Sequence, residues 1–408
     1  MKLVIKSLAL AIAAAGLAAP ALADTATTKG GFQIKSDDGN FEAKLGGRIH
    51  FDGNFFTDEK DIAVAPADNS NSNFFFRRAR ITLEGRAYDF TYKFENDFAS
   101  SDTAGGVTAT RNEGLREMWI GRQVMGNKNL RLGQAKPYRG MEELTSSNEI
   151  TFMERPFATA TGVYGNQFAT GVFLDGSGEG YGYGVSAYTP RSADQAKTQG
   201  MSYNARGYLV PLRTNGNLIH IGVSATSDNF ETNTATVRPR VVGRENGLRN
   251  TGTAGNQIVT GGAFNEQTTV AAELAARFGG VMVQGEYAMA TFKDTLGAVT
   301  PEQEVDTYYV QASYFLTDHT KPYDFKKGVF KSPKLNGEEG AIELKVRYDQ
   351  IENKDLDNRE ASYYAVGVNY YATPNTRFMI EYVDGKLKNN TATELEAAAV
   401  TARAQFNF

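Results

Sequence analysis

Phe74-Phe75-Phe76-Arg77-Arg78-Ala79-Arg80-Ile81-Thr82-Leu83-Glu84-Gly85 places three arginines inside a run that otherwise has the makings of a membrane β-strand. An arginine facing lipid at the midplane of a barrel costs about 2–4 kcal/mol. The guanidinium groups therefore need an aqueous or proteinaceous interior, and the strand has one apolar and one cationic face. Such a strand suits the wall of an anion-conducting pore. Alternation sorts its side chains. If Ile81 and Leu83 face outward, Arg78, Arg80, Thr82 and Glu84 face the lumen. Arg77 then falls on the lipid side unless the strand twists, bulges or has left the bilayer zone. Arg80 is close enough to Glu84 on the inner face to pair with it.

The same period of two recurs along the chain. Ile342, Leu344, Val346 and Tyr348 alternate with Glu343, Lys345 and Arg347, and Tyr364, Val366, Val368 and Tyr370 with Ala365, Gly367 and Asn369. Tyr308 to Leu316, Val270 to Phe278 and Ile219 to Val223 repeat the pattern. Each is a segment of about 9–11 residues, the length a tilted barrel strand requires. Several put charge where a small soluble barrel would hold its core, which points to a wide, water-filled interior. Connections alternate between short (Ala87 to Phe90, Val124 to Asn127, Thr373 to Asn375) and long and polar (Thr57 to Asn73, Asp102 to Asn112, Asp228 to Gln267, Gln350 to Ala361). Short periplasmic turns and longer outer loops give this asymmetry. The expected fold is an all-β transmembrane antiparallel barrel, and the period alone fits about 14 to 18 strands. The final stretch, Val400 to Phe408, alternates too and ends on Phe408, as an outer-membrane assembly signal does.

At the other end, Lys2 and Lys6 precede an alanine- and leucine-rich run, Leu8 to Leu22. Ala21-Leu22-Ala23 fits a signal-peptidase site, so residues 1–23 are expected to be a cleaved signal peptide and residues 24–408 a single barrel domain. Cysteine is absent, while Tyr, Phe and Gly number 20, 25 and 42. Net charge is −4 and becomes −6 without Lys2 and Lys6, which argues against nucleic acid as a partner. Any anion preference must come from local arginine placement. Asp38-Gly39 suits a hairpin turn. The run Gly176, Gly178, Gly180, Gly182 and Gly184 is no phosphate cradle, because no helix follows it. His50, His220 and His319 fit neither a metal site nor a nucleophile constellation, so no cofactor or metal is expected. A barrel enzyme such as an outer-membrane lipase or protease is the remote alternative to a channel.

The chain resembles the phosphate-selective porins O and P over nearly all of residues 24–408. The anchors are Leu45-Gly46-Gly47-Arg48, Phe76-Arg77-Arg78-Ala79, Thr145-Ser146-Ser147 with Met153-Glu154-Arg155, Val237-Arg238-Pro239-Arg240 with Arg244, Gly340 to Leu344 and the aromatic end. The resemblance implies trimeric channels of about sixteen strands, with some long loops folded into the pore. It implies passive, anion-selective diffusion of phosphate or related oxyanions through an outer membrane, in contact with lipid and lipopolysaccharide. It assigns an anion-binding constriction to Arg48, Arg77, Arg78 and Arg155, with Asp97 near the phosphate. An extracellular ladder falls on Arg238, Arg240 and Arg244. A periplasmic lysine cluster is similar in kind to Lys321, Lys326, Lys327, Lys331 and Lys334. Two family lysines fall on Glu143 and Asn148, and Glu143 raises the alternative of broader or different anion selectivity.

The chemistry suits the assignment. A guanidinium offers an oxyanion two parallel charge-assisted hydrogen bonds and never deprotonates. A row of such groups lets the anion change partners without a single deep well, and conduction needs that.

Overall fold

The computed structural model describes residues 25–27, 32–60, 72–101, 114–190, 200–230, 237, 239, 241, 257–259, 264–295, 301–335, 340–357, 359–388 and 394–408. Their strands are β1 Thr25–Thr27, β2 Phe32–Lys35, β3 Phe41–Lys60, β4 Asn73–Ala87, β5 Phe90–Asp97, β6 Leu115–Val124 and β7 Lys128–Ala135. Then come β8 Ala169–Gly178, β9 Tyr181–Thr189, β10 Ser202–Arg213, β11 Asn217–Asn229, β12 Glu266–Phe278, β13 Val281–Lys293 and β14 Gln303–Phe315. A small hairpin, β15 Tyr323–Asp324 and β16 Val329–Phe330, precedes β17 Ala341–Asn353, β18 Glu360–Thr373, β19 Thr376–Lys388 and β20 Glu394–Asn407.

Sixteen of these, β3–β14 and β17–β20, form one closed antiparallel barrel. Each pairs with its chain neighbour, β14 passes directly to β17, and β20 returns to β3 with Gln405 opposite His50. Closure removes the unpaired edges that lipid could not solvate. Alternation follows the expected parity. In β17, Glu343, Lys345, Arg347 and Asp349 are buried inward while Leu344, Val346 and Tyr348 are exposed outward.

The expected short turns sit where alternation put them. Tyr88-Asp89 joins β4 to β5, Met125 to Asn127 joins β6 to β7, and Pro374-Asn375 joins β18 to β19. Tyr88 and Met125 take the positive φ that tight turns demand, at 54° and 45°. Asp38-Gly39 turns β2 into β3, with Gly39 at φ 66°. Of the four long connections, three lie largely outside the described residues. The fourth is shorter than expected, because β17 runs to Asn353 and β18 starts at Glu360. Two further connections escaped the periodicity. Residues 136–168 leave β7 at the long-loop rim and fold inward. Residues 316–340 interrupt the short-turn rim and carry the β15–β16 hairpin.

Two local features decide where side chains go. In the first, His50 pairs with Arg78 but Phe51 with Phe76, so Arg77 is an extra residue in β4. This bulge resets the parity. Phe74 and Phe76 face out, Ile81 and Leu83 face out, and both Arg77 and Arg78 face in. In the second, glycine leaves room for rings. A Cβ at Gly184 would stand 2.4 Å from the Tyr138 ring, and one at Gly182 would stand 2.1 Å from the Tyr208 hydroxyl. The glycine run in β8 and β9 thus accepts flat aromatic side chains against the wall.

The seam closes on the chain's last residue. The Gly47 amide donates to the Phe408 carbonyl at 2.9 Å, and the Phe408 amide donates back at 3.1 Å. A Cβ at Gly47 would lie 2.4 Å from the Arg80 carbonyl oxygen and 2.5 Å from the Phe408 ring. Gly47→Ala should therefore destabilise the barrel by about 1–3 kcal/mol, the usual cost of overpacking. A urea titration of the heat-modifiable band on SDS gels reads this, and an unchanged midpoint would contradict it.

Candidate functional site

The inward loop starts at β7 and reaches the opposite wall. Its two short helices are α1 Met141–Leu144 and α2 Phe157–Ala160. Between them the backbone has few internal hydrogen bonds and borrows partners from the wall. The Ile150 carbonyl accepts from Arg377 at 2.9 Å, that of Thr151 from Lys345 at 3.1 Å, and those of Met153 and Glu154 from Arg403 and Arg347 at 2.7 Å each. Loop amides do the converse. Glu142 donates to Glu286 at 2.7 Å, Met153 to Glu381 at 2.7 Å and Phe157 to Asp349 at 2.8 Å. The expected open, water-filled interior is therefore partly occupied by chain. Phe152, Phe157, Val163 and Tyr164 pack on its outer side with Val237, Val241, Ile258 and Val259. The charges inside the wall brace this loop as well as facing water.

The Phe74–Gly85 arginines meet the loop at mid-height. Arg77 makes a two-pronged contact with Glu154, at 2.6 and 2.8 Å. Arg403, itself gripped by Asp52 at 2.7 Å, reaches the same carboxylate at 3.2 Å. Arg80 pairs with Glu95 and Asp97 at 2.8 Å each, and not with Glu84. The register explains this, since β5 brings Asp97 directly opposite Arg80. Arg48 takes the other oxygen of Glu95 at 2.8 Å and donates to Ser147 at 2.9 Å and Ser146 at 3.3 Å. Arg155 donates to the carbonyls of Glu142 and Thr145 at 3.1 and 2.6 Å.

Arg78 is different. It is buried, yet no carboxylate lies within ion-pair distance among the described residues. Its Nη1 approaches His50 Nδ1 at 3.3 Å and its Nε has no partner. His50 Nε2 meets Asn148 Oδ1 at 3.2 Å, so a neutral imidazole protonated at Nε2 suits both contacts. A guanidinium with donors to spare is what an arriving oxyanion needs.

On the short-turn side of the loop lies a chamber of about 840 Å³. Lys93, Lys136, Arg206, Lys326, Lys327 and Trp119 help line it. On the other side, the space beside Glu154, Asp52, Phe152 and Arg347 is about 30 Å³, room for little more than water.

The family model for phosphate-selective porin O and P matches residues 44–408. The chain belongs to that family. It is 28% identical to Porin O of Pseudomonas aeruginosa across 99% of this chain and 98% of that protein. Among solved structures, a loop-deletion form of OmpT from Vibrio cholerae aligns with a TM-score of 0.55 at 14% identity, over 90% of this chain and 100% of that one. An anion-selective porin from Comamonas acidovorans aligns at 0.54 and 13%, with the same coverage. The solved structures speak for the fold. Family and fold together make this protein an outer-membrane porin.

For this family member, the residues singled out by resemblance separate into groups. Arg48 and Arg77 contact the loop directly, Arg155 bonds carbonyls within it, Arg78 reaches it through His50 and Asn148, and Asp97 holds Arg80 on the adjoining wall. Arg238, Arg240 and Arg244 lie outside the described residues. The five lysines split. Lys321 is buried against Glu343 at 3.0 Å and Lys331 pairs with Asp324 at 3.0 Å. Lys326 and Lys327 are exposed on the chamber, and Lys334 is exposed. Arg347, Arg377, Arg403 and Lys345 were missed as loop ligands. Their inward parity was visible, but their partners were not.

Burial pushes the Glu154 carboxyl up, but Arg77 above all, then Arg78 and Arg403, hold it well below the usual carboxylate range. Its stabilising contribution is therefore complete above the unfolded value of about 4.3 and is lost as pH falls toward the depressed folded value. Glu154→Gln should keep the loop's shape but lower stability by about 2 kcal/mol, the low end for a hydrogen-bonded charge pair, because the carboxylate is 28% exposed. Urea midpoints at neutral pH read the difference. Equal midpoints for the two proteins would refute the bracing role.

Proposed function

We propose that this porin gives passive, anion-selective diffusion of phosphate or a related oxyanion, with the arginines at the inward loop as its constriction. The observation that carries the reading is Arg78, a buried guanidinium with unspent donors, set beside Arg77 by the β4 bulge. Anions would enter past Arg238, Arg240 and Arg244, meet the spare donors of Arg78 beside the Arg77–Glu154 pair, and leave through the chamber past Lys326 and Lys327. Arg48, Arg80 and Asp97 position the site, since their charges are already matched. Arg155 shapes the loop on which the anion's other contacts depend. Export would follow cleavage after Ala23. In planar bilayers, purified protein should be anion-selective, and phosphate should block chloride current. Arg78→Ala should raise the half-blocking phosphate concentration by roughly 10- to 100-fold, the worth of one hydrogen bond to a charged group. Cation-selective reversal potentials would overturn the reading. Anion selectivity without phosphate block would move it to the alternative of a broader anion porin.

We also infer a homotrimer. Strands β5, β6, β7, β8 and β9 are 8, 10, 8, 10 and 9 residues long, whereas β11 to β14 have 13 each. At about 3.3 Å per residue and a tilt near 45°, eight residues rise only about 19 Å, short of an apolar band about 25 Å tall. This low wall nonetheless exposes Phe94, Met118, Ile120, Leu132 and Val172. A neighbouring copy covers it better than lipid would, and the OmpT of Vibrio cholerae has a solved trimer form. Ile120→Arg should yield folded monomers on semi-native gels. A trimer band that persists undiminished would count against this interface.

A further inference from the structure

Lys136 is the first residue of the inward loop after β7, and it stands where the loop meets the chamber. Its Nζ donates to the main-chain carbonyl of Glu143 at 2.5 Å. The ammonium also lies 5.7 Å from the centre of the Phe168 ring. Among the described residues no carboxylate stands within ion-pair distance of it, and the side chain is partly exposed to the chamber. The Glu143 carboxylate is turned elsewhere. It is buried, with one oxygen 3.3 Å from the Gln167 amide and the other without a partner. The loop therefore presents the Glu143 position to the path through a borrowed ammonium, while the acid itself is withdrawn.

We propose that Lys136 is the exit-side anion ligand of the constriction, supplying the positive charge that the chain does not place at Glu143. This rests on the permeation reading above and adds a residue to it. An oxyanion leaving Arg78 would find Lys136 at the head of the chamber and Lys326 and Lys327 further along its lining. An ammonium suits this step, because a compact charge without a fixed fork holds an oxyanion without dictating its orientation. The alternative is that Lys136 only ties down the α1 carbonyl, and an arginine or a pH change separates the two roles.

The charged groups that act on Lys136 are Arg155 on the loop, Glu117 on β6, Arg80 on β4 and, from beyond ion-pair distance, the Glu143 carboxylate on α1. Burial first, and then Arg155, push the Lys136 amine well below the usual lysine range, with Glu143 and Glu117 opposing. The amine is charged below its folded value and loses its proton as pH rises through it. Arginine at the same place would stay charged throughout.

The test is the reversal potential of the intact porin in a potassium chloride gradient, taken from about pH 6 to about pH 9. Chloride does not titrate in this range, so any change belongs to the protein. Any loss of anion selectivity that wild type shows as pH rises should be absent from Lys136→Arg. Lys136→Arg should stay selective across the range, and Lys136→Met should show a chloride-to-potassium permeability ratio lowered about fivefold at the acid end. Should the methionine variant fail to assemble, Lys136→Gln takes its place in the same comparison. A Lys136→Met variant that assembles and is as anion-selective as wild type at the acid end overturns the role of Lys136 while anion permeation stands. A wild type that is not anion-selective even at the acid end overturns the permeation reading itself.

Discussion

An extended segment cannot cross the inside of a barrel unless its peptide groups find partners. Water would serve in a wide pore, but each buried amide or carbonyl left alone costs about 1–3 kcal/mol. Here the wall supplies the partners. Arg377, Lys345, Arg403 and Arg347 take the carbonyls of Ile150, Thr151, Met153 and Glu154, and Glu381, Asp349 and Glu286 take the amides of Met153, Phe157 and Glu142. The wall's charges also neutralise one another, as Lys345 does with Glu381 at 2.6 Å and Arg403 with Asp52 at 2.7 Å. Loop position, lumen width and site geometry all depend on this exchange. It also explains why strands β17 to β20 carry so much charge on a face that touches little bulk solvent.

The bulge at Arg77 is the second constraint. In a regular strand, neighbours face opposite sides, and two adjacent arginines cannot share a lumen. One extra residue in β4 turns both inward and divides their tasks. Arg77 is spent on Glu154, which anchors the loop. Arg78 has no acidic partner among the described residues. Two adjacent residues of the same type thus reach opposite electrostatic states, because only one of them meets a carboxylate.

Much of the barrel could be read from the chain. Alternation such as Leu344-Lys345-Val346-Arg347 fixes which face is wet, and tight turns at Tyr88-Asp89 and Pro374-Asn375 mark strand ends within a residue. The sequence also named Arg77 as the residue that needed a distortion. What it could not give was pairing across distance. Arg80 has Glu84 four positions away, yet it pairs with Asp97 because β5 runs antiparallel beside it. Residues 136–168 carry no period of two, and nothing local distinguishes a loop that folds inward from one that folds out. The contact of Lys136 with Glu143 was not legible in the chain for the same reason. Their relation depends on a main-chain carbonyl, which has no signature in the sequence.

A chain of net charge −4 can still contain a cationic path, because pairing decides which charges remain available. Arg77, Arg80, Arg206, Lys345, Arg347 and Arg403 each have a carboxylate within 3.4 Å. They contribute shape and little net field. Arg155 and Arg377 hold main-chain carbonyls, which are dipoles and leave the charge uncompensated. Among the described residues, the hydrogen-bond partner of Arg78 is an imidazole nitrogen and that of Lys136 a main-chain carbonyl. On the proposed anion path, low-dielectric walls would focus such charge along the axis, and screening at the rims would mute the acidic surface. Under the proposed function, selectivity would follow from the few cations left without an ion pair among the described residues. Substitutions that move the loop should therefore alter permeation more than substitutions that only change the surface charge.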